Sequence, residues 1–484
     1  MTRRRLLSGA ATVAAASLLP GCGSSSTAAG TPPPVPSNPQ PTPSGTVQQA
    51  TMTVSGTSSG TIPASFLGLS YEKYVLCDPH FTDSNADLIA LFKRLGAGVL
   101  RLGGGTVDQA IWTPGGNGTT YLQVTPANVT SLAGFLKATG WQCLYGVNLA
   151  TSTPQLAAAE VTDVVGAMGS SLLGIEIGSA PDTYGDPGSF FPGNWSLQDY
   201  LTRWNTFRAA IVAAQPGVPI TGPSCAASNV SSWALPFAES LPAGELSLLT
   251  EQYFRGSGTS STATADFLIS PDAVLNGLLP TVQSGAKQLQ IPYRLAGCNS
   301  FYAGGAPGVS NSYASSLWVL DFLFAAAVNG ATGVNMHGGG SISYTPILDS
   351  GGYVSAVAPE YYGLLLFSLA GAGTVMATQL SVGSLNATAY AVKTASGGLS
   401  LILVNKDVAT NLHMTISAGQ MISSATLVAM AAPGLSATTG VTIQGAAVGV
   451  DGSFSPAAAY QLTSSGQQTT CFVPALGAVL IHIS

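Results

Sequence analysis

Charge is scarce in this chain: its 484 residues include 15 Lys plus Arg and 21 Asp plus Glu, or 7%. An ordinary globular domain carries roughly 25%. Coiled coils, charged disordered chains and basic nucleic-acid binders all need more charge than this, so no nucleic-acid partner is expected. Long apolar runs are also few. Beyond the N-terminus none reaches the ~18 residues of a membrane span, and the longest candidate, Leu317 to Val328, is interrupted by Asp321. The six cysteines, Cys22, Cys77, Cys143, Cys225, Cys298 and Cys471, show neither CxxC nor metal-ligand spacing. Buried thiols are therefore expected rather than a metal site or a disulfide framework. Gly103-Gly104-Gly105 lacks the GxGxxG spacing of a nucleotide loop, and no cofactor is expected. What is abundant is Gly (58) and Pro (30), which suit a loop-rich enzyme-type fold, and the length allows two or three domains.

The N-terminus reads as an export signal followed by a tether. Arg3-Arg4-Arg5 precedes the apolar stretch Leu6 to Leu19, the order of a bacterial export signal, with a loose twin-arginine character. Leu19-Pro20-Gly21-Cys22 resembles a lipobox, so residues 1–22 are expected to be the signal, with Cys22 acylated. The expected product is a membrane-anchored lipoprotein on the extracytoplasmic side. Residues 23–50 carry no charge and seven prolines, a composition that cannot build a core. Partly polyproline geometry would let this linker reach roughly 80 Å.

Between Ser65 and His337 eight strand-like runs alternate with helical stretches: Phe66–Tyr71, Val99–Leu102, Gln142–Leu149, Leu172–Ile177, Pro219–Gly222, Ser247–Gln252, Ile291–Ala296 and Gly333–His337. Eightfold strand–helix alternation predicts a (β/α)8 TIM barrel over residues 51–354. From residue 355 to 484 the segments are short, β-branched and separated by turns such as Ala395-Ser396-Gly397-Gly398. They predict a C-terminal antiparallel β-sandwich domain, to which residues 51–58 are a candidate extra strand.

Chemistry in such a barrel sits at the C-terminal ends of the strands. Those ends read Ser70-Tyr71-Glu72-Lys73, Arg101 to Asp108, Asn148, Glu176 to Asp182, Thr250-Glu251-Gln252-Tyr253, Gly297-Cys298-Asn299-Ser300 and Asn335-Met336-His337. Arg101, Glu176 and Arg294 precede the tips and are expected to be buried partners that tie strands together.

Several of these segments together resemble glycoside hydrolase family 79, the β-glucuronidase and heparanase-like retaining glycosidases. The resemblance is carried by Phe66-Leu67-Gly68-Leu69-Ser70-Tyr71-Glu72-Lys73, Leu100-Arg101-Leu102-Gly103-Gly104, Gly146-Val147-Asn148-Leu149, Asn299-Ser300-Phe301-Tyr302-Ala303-Gly304-Gly305 and Gly333-Val334-Asn335-Met336-His337. Val404-Asn405-Lys406-Asp407 and Val473-Pro474-Ala475 extend it into the sandwich. It implies a carbohydrate ligand and a retaining reaction by two carboxyl groups about 5–5.5 Å apart.

Aligned on that pattern, the acid/base position is Ala180 and the nucleophile position is Gly297, so the standard pair is absent. Ser179 replaces an Asn that usually meets the sugar 2-hydroxyl, Gly105 an Asn, Gln252 a His, and Ala306 a Lys that holds a uronate. The remaining substrate-binding positions implied are Tyr71, Gly104, Asn148, Tyr253, Tyr302, Gly304 and Asn335. Glu251, at the tip of the sixth strand, is the one candidate for a relocated carboxylate. The expectation is thus a catalytically degenerate, carbohydrate-binding monomer. Its alternatives are a glycosidase or transglycosidase that uses Glu251, and a structural envelope protein whose pocket has collapsed.

Overall fold

The sequence alternation closes into a barrel in the computed structural model, which describes residues 38–484. The export signal, Cys22 and the first part of the linker lie outside the described residues. The eight barrel strands, in chain order, are Gly68–Glu72, Val99–Gly103, Gln142–Val147, Leu172–Ile177, Ile220–Cys225, Leu248–Ser257, Tyr293–Tyr302 and Val334–Gly338. Each pairs in parallel with the next, and the eighth pairs with the first to complete the closed barrel. Helices between them start on ordinary caps: the side chains of Thr125, Thr153, Ser196 and Asp272 each accept a backbone N–H of the first turn, which satisfies donors that would otherwise be orphaned.

The second layer is an 11-stranded sheet that curls into the sandwich, antiparallel except where Thr46–Thr53 runs parallel to Thr410–Ser417. That pair moves a boundary. The linker expected up to residue 50 ends earlier, because the strand Thr46–Ile62 begins inside it. Ahead of that strand, Asn38 and Gln40 already bond the backbone of Ala458 and Phe472. Unpaired backbone groups on the flank of Thr410–Ser417 are the physical reason, since a further strand satisfies them. The sandwich boundary also moves, since Pro359–Ala370 is a helix packed on the helix Tyr313–Val328 and the first sandwich strand after it is Gly373–Ser381.

The sandwich strand Leu399–Asn405 is buried throughout. Leu401 and Leu403 join the core inside the sandwich, whereas Ile402 and Val404 join the core shared with the barrel. Alternating side chains therefore bury both faces of one strand. The helix Tyr313–Val328 is buried nearly all round in this shared layer, which accounts for the longest apolar run in the chain. Among the described residues, no helix is long and apolar enough to cross a membrane.

Candidate functional site

At the C-terminal ends of the barrel strands lies a small cleft of ≈ 160 Å³. Its lining comprises Glu72, Arg101, Gly104, Gly105, Ser179, Ala180, Gln252, Phe254, Gly297, His337 and Tyr344. Ala180 and Gly297 thus line one cleft, although one follows the fourth strand and the other lies within the seventh. The cleft is below the 300–1,000 Å³ of ordinary small-molecule pockets.

Its floor is a buried ion pair. The Nε and Nη2 atoms of Arg101 donate to Glu176 Oε2 at 2.8 and 2.5 Å, and Nη2 also donates to Ser224 Oγ at 2.9 Å. Thr250 Oγ1 donates to the other Glu176 oxygen at 2.7 Å. Both ionic side chains are essentially unexposed. The strand-tying role expected of them follows, since a buried charge is tolerated only when paired and hydrogen-bonded. Arg101 also dictates two glycines. A Cβ at Gly103 would stand 2.1 Å from Arg101 Nη1, and one at Gly297 would stand 3.1 Å from it. The first is impossible, while the second asks only for a small shift.

Glu72 is the only carboxylate in the lining. Its oxygens accept from the backbone N–H groups of Gly105 (3.1 Å) and Thr106 (2.8 Å) and from Thr106 Oγ1 (2.5 Å). His337 Nε2 lies 3.5 Å away, and His337 Nδ1 is 3.1 Å from Ser70 Oγ. Burial alone would raise the Glu72 pKa, but the bonds from His337 and Thr106 and the imidazole charge outweigh it and lower it to about 2. The carboxylate is therefore ionised at any ordinary pH. Gly104 (φ +79°) makes this cradle, because a Cβ there would fall 2.1 Å from Glu72 Oε1.

Asp108 fixes the opposite wall. Its Oδ1 accepts from the N–H of Leu149 (2.8 Å) and Ala150 (3.1 Å), and its Oδ2 from that of Ser179 (2.9 Å). This clamp joins three strand connections beneath Ala180, which is held in a left-handed conformation at φ 49°, ψ 53°. Phe254 and Tyr344, with ring centres 6.0 Å apart, supply an apolar edge.

Strand alternation separates the expected residues. Ser70 and Glu72 point inward on strand one, so Tyr71 points outward and packs among His80, Phe81 and Phe92. On strand six Gln252 and Phe254 face the cleft, so Glu251 and Tyr253 do not. Tyr253 donates to Asp272 and stacks on Phe322. Glu251 is fully buried with both carboxyl oxygens unpartnered among the described residues. Desolvation, then Asp182 and Glu176, push its pKa well above the usual range. It does not line the cleft, so the proposed replacement has no route to a bound sugar.

Five more expected positions lie outside the cleft lining. Asn148 is consumed by its own turn, donating to Ala110 and Thr151 and accepting from the N–H of Thr151 and Ser152. Asn335 is buried in the barrel, accepting from Arg294 Nε and donating to the carbonyls of Leu69 and Val99. Ala306 is buried beside Ser310, outside the cleft lining. Tyr302 is exposed at the end of the seventh strand, its ring centre 6.4 Å from that of Phe254, and Gly304 holds Ser343 through its carbonyl. Gly104, Gly105, Ser179, Gln252, Ala180 and Gly297 do come together. The expected list omitted Glu72, Arg101, Phe254, His337 and Tyr344. Inward alternation from Ser70 and Gln252 was the signal that finds Glu72 and Phe254.

A barrel closed by a sandwich, with its cleft at the strand tips, is the architecture of a large class of glycosidases. No family model matches the chain. It is 26% identical over 339 residues to a β-glucuronidase of Aspergillus niger, covering 60% of this chain and 61% of that protein. The chain thus spans about three fifths of that relative's length. In fold it is similar to a 4-O-α-L-rhamnosyl-β-D-glucuronidase from Fusarium oxysporum (TM-score 0.72, 19% identity, 89% of this chain and 99% of that one). It is also similar to an α-L-arabinofuranosidase from Thermotoga maritima (TM-score 0.68, 12% identity, 90% and 99% covered).

Proposed function

We propose that this protein is a family 79-type pseudo-glycosidase, exported and lipid-anchored, whose cleft binds a carbohydrate without hydrolysing it. The observation that carries the reading is the composition of the cleft: Ala180 and Gly297 line it, and Glu72 is its one carboxylate. Retaining hydrolysis needs a proton donor and a nucleophile on opposite sides of the scissile bond. Glu72, with a pKa lowered to about 2, holds no proton to donate at neutral pH. As a fixed acceptor it suits sugar hydroxyls, and the aromatic side chains of Phe254 and Tyr344 in the lining suit the apolar face of a pyranose. Its charge opposes a uronate, and Arg101 is already satisfied by Glu176. The expected ligand is a neutral glycoside.

Titration with neutral and uronic methyl glycosides tests this. Saturable binding of a neutral sugar without turnover is expected; absence of binding to every member would sink it. Restoration is the companion experiment. In the variant carrying Ala180→Glu together with Gly297→Glu, the Cβ at position 297 asks for a small movement of Arg101. Hydrolysis of an aryl glycoside by this variant, silent in the wild type, is expected. The anchor rests on Arg3-Arg4-Arg5 and Leu19-Pro20-Gly21-Cys22; failure of Cys22→Ala to abolish labelling by a fatty acid would remove it.

The similarity to a β-glucuronidase favours a second reading, residual hydrolysis. It predicts wild-type turnover of an aryl glucuronide that Glu72→Gln, at the one carboxylate lining the cleft, abolishes.

A further inference from the structure

A cavity of ≈ 570 Å³ lies where barrel helices meet the sandwich. It is larger than the strand-tip cleft, shares none of its lining residues, and falls within the 300–1,000 Å³ range of small-molecule sites. One wall comes from the helices Ala265–Ile269, Ala273–Leu289 and Tyr313–Val328, the other from residues 384–390 and Lys406.

Three properties of this cavity are those of a ligand site. First, Trp318 lines it while 4% exposed, and its indole N–H has no hydrogen-bond partner among the described residues. That N–H is not among the sealed, unpartnered polar atoms of the described residues, so it is open to an acceptor in the cavity. Second, hydrogen-bonding capacity is left open around it. The side chains of Asn276 and Ser384 make no hydrogen bond within the described residues, and Asn386 uses only its N–H, toward the Ile269 carbonyl. Third, the charges that face the cavity are already matched. Lys406 bonds Asp321, which also accepts from Thr388 Oγ1 and from the Tyr390 hydroxyl (2.8 Å). Asp272 is paired with Arg255 at 2.6 Å. An anion or cation would have to break one of these pairs. A neutral molecule that carries both apolar faces and hydroxyls would not.

We infer that this cavity is a second binding site, for a neutral sugar of one or two rings, separate from the cleft on the barrel face. The Trp318 N–H donates to a sugar oxygen, the Asn276 and Ser384 side chains bond hydroxyls at the rim, and Leu268, Leu275 and Leu385 cover the ring. The inference does not depend on whether the cleft binds sugar.

The test is calorimetric titration of the full chain with cellobiose and xylobiose, using three variants. Gly105→Trp plugs the cleft, since a Cβ at Gly105 meets nothing within 4 Å. Trp318→Phe keeps the ring and removes the N–H. Ser384→Trp, on an exposed loop, fills the cavity mouth and keeps the test valid if Trp318→Phe loosens the core. Binding is expected to survive in Gly105→Trp, to weaken about tenfold in Trp318→Phe through the lost hydrogen bond, and to vanish in Ser384→Trp. Wild-type affinity in both cavity variants, loss of all binding in Gly105→Trp, or no saturable binding of either disaccharide overturns the inference.

Discussion

Replacing Glu251 by Gln is expected to stabilise this protein, increasingly so as pH rises. Glu251 is unexposed, both of its oxygens lack partners, and Asp182 and Glu176 lie close enough to oppose its ionisation. Desolvation first, then those two carboxylates, raise its folded pKa well above the ordinary carboxylate range. The folded state therefore keeps a proton that the unfolded chain releases. Stability from such a group is fully present below the unfolded pKa and is lost as pH rises toward the folded one. Each pH unit in that window costs up to about 1.4 kcal/mol. Gln is a neutral isostere with no proton to lose. Wild type and variant should therefore melt alike near pH 4.5 and diverge progressively as pH rises above it. At about 2.1 cal/mol/K per residue, a body of this size shifts Tm by roughly 1 °C per kcal/mol. Scanning calorimetry from pH 4.5 to 8.5, with the exposed Glu239→Gln as control, reads the difference. A gap that does not change with pH, or a variant that loses stability at pH 8, would refute the reasoning by showing Glu251 to be ionised and partnered.

Removing one member of the cleft-floor ion pair should be severe. Arg101→Met leaves Glu176 buried and unpaired, and urea denaturation should show a loss of about 3–5 kcal/mol, largely recovered in Arg101→Met/Glu176→Gln. Glu72→Gln should weaken neutral-sugar binding by roughly tenfold or more through loss of a charge-assisted bond. In the wild type, fluorescence titration should give a flat affinity from pH 5 to 8 that falls only as pH approaches the Glu72 pKa of about 2. The Ala180→Glu/Gly297→Glu variant should gain aryl glycoside hydrolysis, and either single variant should stay near the background. Equal activity in a single variant would mean that another group already supplies one of the two functions.

The barrel strands were legible because a fully buried parallel strand reads as a short apolar run, as in Val99–Gly103 and Leu172–Ile177. Helix starts were legible through their Thr and Ser caps. Residues 46–50 were not, because Thr46-Val47-Gln48-Gln49-Ala50 has no apolar face of its own and becomes a strand only where a sheet edge receives it. The cleft was legible in part. Gly104, Gly105, Ser179 and Gln252 were placed there by the family resemblance and do line the cleft, but Tyr71, Tyr253 and Asn335 sit equally near the tips and turn away. A one-residue step along a strand reverses the face, and nothing local states which parity faces the axis.

Composition and order alone therefore determined the architecture: eight strand–helix repeats followed by a β-rich C-terminal domain. Only the tertiary structure decided how the few remaining charges are used. Arg101 and Glu176 neutralise each other beneath the cleft, Glu72 is held ionised at its mouth, and Glu251 is shut away behind strand six. Such assignments depend on which groups the closed barrel brings within a few ångströms. Desolvation and pairing act through space, and sequence separations such as the 75 residues between Arg101 and Glu176 carry no trace of them.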